Sequence, residues 1–263
     1  MDSTPTDQLT LHRGFPADNK HVWSPFVVKV EARFRFADFK YRLASGGPLQ
    51  APKGKIPYVE LADGATLGDS SLLIAELVRR GALPDLNADL GPEQRSHDLA
   101  LRALLEEKLY FLNGWEKWTA NYYVQRDHIL WTLPWPVRNL VGLMAYRGQI
   151  ATLKGQGTGR YSEEEINVLR GEILETVAAL LEVSKAKRSD GAAHGPDAVF
   201  WALGGEQPTE ADTTLFGFVA AIMVCASGPT ARTMVRRHPV IIDYASRIHD
   251  KYFPDYEKWS NEN

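Results

Sequence analysis

The chain has 263 residues, 44% of them hydrophobic and 24% charged, with a formal net charge of −3. That balance describes an ordinary globular protein able to bury a core, in one large domain or two modest ones, without a bulk basic surface for nucleic acid. The single cysteine, Cys225, excludes an intrachain disulfide framework and a cysteine-based zinc site. The opening MDSTPTDQ is polar and acidic, unlike a secretory or transit peptide, so a cytoplasmic protein is expected. Residues 8–12 (QLTLH) predict a short strand. After the loop FPADNKHVW, Ser24 and Pro25 predict a helix start, the serine as N-cap and the proline at the first helical position. The helix FVVKVEARFRFA carries Phe26, Val30 and Phe34 at helical spacing and turns Lys29, Arg33 and Arg35 to water. Residues 39–44 alternate as a second strand. A Gly/Pro-rich connector, SGGPLQAPKGK, leads into a hairpin made of 57–61 and 66–68 around the turn ADGA. Asp69 or Ser70 then caps the helix SLLIAELVRR, which stops at Gly81.

Residues 83–91 (LPDLNADLG) read as a linker, and beyond them strand signals nearly vanish. Pro92 opens a long helix containing Leu101, Leu105, Leu109 and Leu112. An aromatic stretch over 115–135 follows, with four of the seven tryptophans. The turn GQGTG precedes a capping box of Ser162 and Glu165, and Ile166, Leu169, Ile173, Val177 and Leu180 then form one apolar stripe. Residues 185–197 (KAKRSDGAAHGPD) predict a loop. Thr209 and Asp212 box the start of the most apolar helix. Its run 215–226 is too short to span a bilayer and reads as a buried core helix. The expected class is α+β, with a mixed unit at 8–82 and an all-helical unit at 92–259.

The order strand, Ser-Pro-Phe helix start, strand, Lys-Ile-Pro, hairpin, Asp-Ser resembles the N-terminal domain of glutathione transferases. The Pro-Thr-x-x-Asp box on an apolar helix resembles the buried core helix of that family's C-terminal domain. The segments SPFVVKVEARFRFADFKY, PKGKIPYVELADGATLGDSS, GQGTGRYSEEE, PTEADTTLFGF and RHPVIIDYASRIHDKYFPDY are similar to the failed-axon-connections and metaxin-like branch. The resemblance implies a thioredoxin-like domain followed by an all-α domain. It also implies glutathione as co-substrate, a small hydrophobic electrophile as second substrate, a role in detoxification and a homodimer.

Glutathione is an extended, charged tripeptide with one thiol, and the sequence offers a group for each part. The resemblance implies a cis peptide between Ile56 and Pro57, which presents the Ile56 backbone to the cysteinyl part as an extra strand; the plainer reading is a turn proline at a strand edge. Asp69 and Ser70 stand where a helix start can hold the γ-glutamyl end, although a plain N-cap needs the same residue types. Ser24 stands where the family places its catalytic serine or cysteine. A hydroxyl at a helix N-terminus can donate to the thiolate, and the helix dipole favours the anion. His21, in the preceding loop, is the rival. Lys53 and Lys55 flank the groove and can neutralise the glycyl carboxylate. Trp118, Tyr122 and Trp131, with Trp115 and Tyr123, are candidates for an apolar acceptor wall. GQGTGR lacks the Gly-Lys-Ser/Thr of a P-loop, which leaves Arg160 as a turn anchor, and His97 and His128 have no metal-ligand partners nearby, so no metal is expected. Two readings follow: a transferase or glutathione-dependent lyase using a serine-stabilised thiolate, or a carrier or adaptor that binds glutathione or an apolar ligand without turnover. A thiol-disulfide oxidoreductase would need a cysteine where Ser24 stands.

Overall fold

The computed structural model describes residues 9–14, 19–189 and 198–260. Four short strands form one mixed sheet: β1 (Thr10–His12), β2 (Arg42–Ala44), β3 (Tyr58–Glu60) and β4 (Thr66–Gly68). Their order is β2-β1-β3-β4, with β1 and β2 parallel and the other pairs antiparallel. Helix α1 (Pro25–Phe36) joins β1 to β2, and α2 (Ser70–Arg79) follows β4. This is the thioredoxin-like half. The remainder is helical: α3 (Pro92–Ala103), α4 (Tyr110–Trp115), α5 (Tyr122–Ile129), α6 (Trp135–Gln156), α7 (Glu163–Ser189), α8 (Glu210–Val224), α9 (Pro229–Arg236) and α10 (Pro239–Tyr252). Two π-helical segments, Leu104–Leu109 and Glu116–Ala120, interrupt the run from Pro92. Among the described residues no single helix is long and apolar enough to cross a membrane.

Helix α1 lies between two cores. Val30 and Phe34 pack with Leu9, Leu11, Val59, Leu73 and Leu77 on the sheet side. Val27, Val28 and Ala32 pack with Leu215, Phe216, Phe218 and Val219 of α8 on the helical side. Apolar residues therefore surround α1 on nearly every side, and Lys29, Glu31 and Arg33 have no water-facing sector. This corrects the expectation for Lys29 and Arg33, whose side chains are 1% and 0% exposed; each is paired instead, Lys29 Nζ with Glu106 Oε1 at 2.6 Å and Arg33 Nε with Glu210 Oε1 at 2.6 Å. Glu31, also enclosed, accepts from Arg13 at 3.3 Å and from the Tyr256 hydroxyl at 2.8 Å. Arg35 is only partly covered and donates to the Asp255 carboxylate, Nη2 to Oδ2 at 2.8 Å. The two halves are thus joined by apolar packing and by ion pairs anchored on one helix.

Helices α1 and α8 approach each other closely at Gly217. A Cβ placed there would lie 2.7 Å from the Pro25 carbonyl oxygen and 2.8 Å from the Lys29 nitrogen. Both obstacles are backbone, so they yield only if the helices separate. Gly217→Ala is expected to destabilise the fold by about 1–3 kcal/mol through overpacking, read as a lowered denaturant midpoint with an unchanged slope.

Both predicted capping boxes are present. Ser162 N donates to Glu165 Oε2 at 2.8 Å and Glu165 N to Ser162 Oγ at 3.2 Å. Thr209 N donates to Asp212 Oδ2 at 2.8 Å, and Asp212 also accepts from Ala202 N at 2.7 Å and Tyr244 Oη at 2.9 Å. The apolar helix α8 is buried over nearly its whole length, as its composition predicts, with Cys225 buried at its C-cap. Two extents differ. The strand expected at 39–44 is confined to Arg42–Ala44: Phe39 still belongs to the close of α1, its N–H donating to the Phe34 carbonyl at 2.9 Å, and the Phe39 and Tyr41 rings pack on Phe34. The loop expected at 185–197 starts later, since α7 continues to Ser189; 190–197 lie outside the described residues.

Candidate functional site

One end of the sheet gathers the residues singled out for glutathione. In the β3/β4 ladder Tyr58 pairs with Gly68, so Pro57 and Asp69 stand side by side just beyond the last pair. His12 pairs with Tyr58, so β1 ends at the same edge, and the chain leaves there toward Ser24 and the start of α1. The Ile56–Pro57 peptide is cis. Ile56 lies against the loop after β1: a Cβ at Gly14, where φ is +86°, would fall 2.5 Å from Ile56 Cδ1. Only glycine suits both that conformation and that contact.

Asp69 is the N-cap of α2. Its Oδ1 accepts from Ser71 N and Leu72 N, both at 3.1 Å, and Oδ2 has no partner among the described residues. Its backbone sits at φ 74°, ψ 121°, a conformation a non-glycine residue rarely adopts and one found at ligand-holding positions. The carboxylate is exposed, whereas Ser70 beside it is buried at the first turn. The connector folds against this corner, with Pro52 and Lys53 side-chain atoms 3.5–3.7 Å from where a Gly68 Cβ would stand. Lys55 is exposed.

Ser24 caps α1 loosely. Its Oγ accepts from Val27 N at 3.4 Å, long for such a bond. The hydroxyl proton is not consumed by this contact, since a serine can accept and donate at once. Between the two helix starts lies a cluster absent from the sequence-based expectations. Lys29 Nζ donates to Ser71 Oγ at 2.8 Å and to Glu106 Oε1 at 2.6 Å, and Thr214 Oγ1 donates to the same Glu106 oxygen at 3.1 Å. It ties α1, the first turn of α2, the first π-helical segment and α8 together under Asp69 and Ser70. The available signal was the alternation of Lys29, Glu31 and Arg33 with apolar residues all round the helix.

His21 does not stand at this edge. It is 5% exposed, ringed by Phe216, Phe253, Tyr256 and Trp259, with Nε2 3.1 Å from His249 Nδ1. Burial, reinforced by His249 and Arg13, lowers its pKa to about 3. An imidazole held that far below neutrality is a poor base for a thiol. The aromatic stretch is scattered. Tyr122 packs on Tyr123 and on Tyr146 of α6, Trp118 is half-buried, and Trp131 is 53% exposed. No ring contact joins these three among the described residues. Trp23, which the sequence did not single out, stacks on His128 with centroids 3.5 Å apart.

The glutathione S-transferase N-terminal domain family matches residues 25–124. The isoprene-epoxide–glutathione S-transferase of Rhodococcus sp. (strain AD45) is 27% identical over 259 residues, covering 93% of this chain and 99% of that protein. Failed axon connections of Drosophila melanogaster is 26% identical over 253 residues, 89% of this chain but 56% of its own length. Among solved structures, glutathione transferase GSTFuA3 from Phanerochaete chrysosporium superposes with a TM-score of 0.58 at 18% identity, covering 96% of this chain and 98% of that one. A glutathione S-transferase from Methylobacterium radiotolerans JCM 2831, solved with glutathione sulfonate, gives 0.53 at 15% identity and 97% coverage of both chains. At those identities the two structures speak for the fold. With the domain match over residues 25–124 and the two long sequence alignments beside them, they show that the chain is similar to glutathione transferases over most of its length.

Proposed function

We propose that this chain binds glutathione across the sheet end and conjugates it to a small apolar electrophile, with Ser24 holding the thiolate. The division of labour follows the two units read from the sequence, 8–82 for glutathione and 92–259 for the second substrate, in a cytosolic homodimer. The backbone of Ile56 pairs with the cysteinyl part. Asp69 Oδ2 meets the γ-glutamyl ammonium while the Ser70 region and the α2 N-terminus hold its carboxylate. Lys53 and Lys55 face the glycyl carboxylate. The Ser24 hydroxyl donates to the sulfur, and the α1 dipole favours the anion, so the thiol proton leaves to solvent nearer neutral pH. The sulfur then forms a bond to an electrophilic carbon. If that carbon belongs to an epoxide, the group for which the Rhodococcus relative is named, the C–O bond breaks and the oxygen takes a proton from water. Positioning and thiolate stabilisation supply the catalysis.

The observation that carries this reading is Asp69: a carboxylate at positive φ, capping a helix with one oxygen and offering the other, next to a cis-proline turn. Asp69→Asn tests it cleanly. Asparagine caps a helix as well as aspartate and tolerates the left-handed region, so stability should change little. Exchanging a charge-assisted bond for a neutral one should weaken glutathione about tenfold, or about 1.4 kcal/mol, measured by calorimetric titration. Unchanged affinity would reduce Asp69 to a helix cap.

A further inference from the structure

Half of the large apolar side chains that stand exposed among the described residues fall within 123–144, the stretch formed by α5 and the first part of α6. Single exposed apolar residues are ordinary, but a contiguous group marks a surface that meets something. One side of α6 rests on the protein. A Cβ at Gly142 would fall 2.6 Å from Arg126 Cδ and 2.9 Å from Tyr122 Oη, the Tyr146 ring packs on Tyr122, and Leu153 is buried against Gly114. At 3.6 residues per turn the opposite side carries Val137, Leu140 and Met144, with Leu143 beside them. These four are 42–64% exposed. Trp131 and Trp135, at the turn into the helix, are 53% and 71% exposed. Further along the same side stand Arg147 and Lys154, both exposed and in no ion pair among the described residues.

The charge of this surface says what it meets. No Asp or Glu occurs between Asp127 and Glu163, a run of 35 residues in a chain that has 33 acids. Arg138, Arg147, Lys154 and Arg160 fall in that run, so it carries +4; the whole chain carries −3, and the remainder therefore −7. Asp127, just outside the run, is held by Arg126 at 2.8 Å and Arg138 at 3.7 Å. Two copies meeting through this side would set Arg147 and Lys154 against their own counterparts, with no carboxylate in the run to offset them. A bilayer with anionic headgroups complements both features, with an acyl boundary for the aliphatic residues and negative charge for the two cations. Tryptophan is also favoured at headgroup level. Among the described residues no single helix is long and apolar enough to cross a membrane, so α6 can lie along the surface but not span it.

We propose that the outer side of α6 docks the chain on an anionic lipid bilayer. The helix lies in the headgroup layer. Val137, Leu140 and Met144 reach the acyl boundary, Trp131 and Trp135 flank them at headgroup level, and Arg147 and Lys154 meet the lipid anions. The contact is peripheral and does not depend on glutathione binding or turnover.

The test is co-sedimentation of the full chain with two kinds of vesicle, phosphatidylcholine alone and phosphatidylcholine with phosphatidylserine in equal parts, at low and high salt. Partitioning onto the anionic vesicles is expected to be at least about tenfold stronger, and to fall as salt rises. Arg147→Gln with Lys154→Gln should bring it down to the level on phosphatidylcholine. Leu140→Ser with Met144→Ser should weaken it by about tenfold or more without adding charge, and should melt close to the parent because both positions are exposed. Val168→Ser, at an exposed apolar position on α7, should bind as the parent does. Sedimentation velocity is run on the same proteins. Failure to bind anionic vesicles overturns the proposal, and so does binding that survives either double variant. Self-association lost in Leu140→Ser with Met144→Ser, by a chain that ignores vesicles, also overturns it and makes a second copy the occupant.

Discussion

Replacing Ser24 by alanine is expected to slow glutathione conjugation roughly 10²- to 10³-fold, the usual cost of losing one donor to a reacting anion. Glutathione affinity should scarcely change, because the Ile56 backbone and the Asp69 corner remain. The pKa of the bound thiol should rise, visible as loss of thiolate absorbance near neutral pH. The cap contributes to stability as well. Its bond to Val27 N is 3.4 Å long, so the loss in folding should fall at or below about 1 kcal/mol, and rates are compared at equal folded fraction. Ser24→Cys keeps a donor and should retain more of the thiolate signal than alanine does. An alanine variant with full turnover and an unshifted thiol pKa would remove Ser24 from the chemistry. His21 would not then take its place, since it lies in an aromatic box, paired with His249.

Removing Glu106 should be the more damaging change to the fold. Its carboxylate compensates Lys29, whose side chain is 1% exposed, and it also accepts from Thr214. Glu106→Ala leaves a buried ammonium with only the Ser71 hydroxyl, a loss of about 3–5 kcal/mol. For a chain of this size that corresponds to a fall in melting temperature of roughly 10 °C. The double variant Lys29→Met with Glu106→Leu should recover much of the loss, because an apolar pair of similar volume needs no desolvated charges. If the single variant proves as stable as the parent, the cluster is not what joins α1 to the helical half. Glutathione binding gives a second readout: Ser71 is in the first turn of α2, so the single variant should weaken the Asp69 corner as well.

How much of this was legible in the sequence depends on how local each cause is. The helix starts at Ser24, Ser162 and Thr209 were readable because a cap needs only the residue and its third or fourth neighbour. The arrangement of Pro57 and Asp69 followed once a hairpin joined them. Residues 39–44 misled because alternation reports which side chains are buried, not whether the backbone has a ladder partner. Lys29 and Arg33 misled because charged residues on a helix usually mark its wet face. Their partners, Glu106 and Glu210, lie 77 and 177 positions away, beyond the reach of any local pattern. The cavity of about 430 Å³ lined by residues 20–23, α5, the end of α8, α9 and residues 257–260 was invisible for the same reason, being assembled from five separate segments. Tryptophan density drew attention to 115–135, yet Trp131 and Trp135 are 53% and 71% exposed, while Trp23 and Trp259 line the cavity.

The central claim is that the folded chain has a glutathione site at the sheet end, and a thermal unfolding series with glutathione tests it most directly. A ligand that binds only the folded state stabilises it by about 2.7 kcal/mol at a hundredfold excess over its dissociation constant. For this chain that predicts a rise in melting temperature of about 5–10 °C at saturation, reduced in Asp69→Asn at equal glutathione and preserved in Ser24→Ala. A melting temperature that does not move at millimolar glutathione would contradict the account.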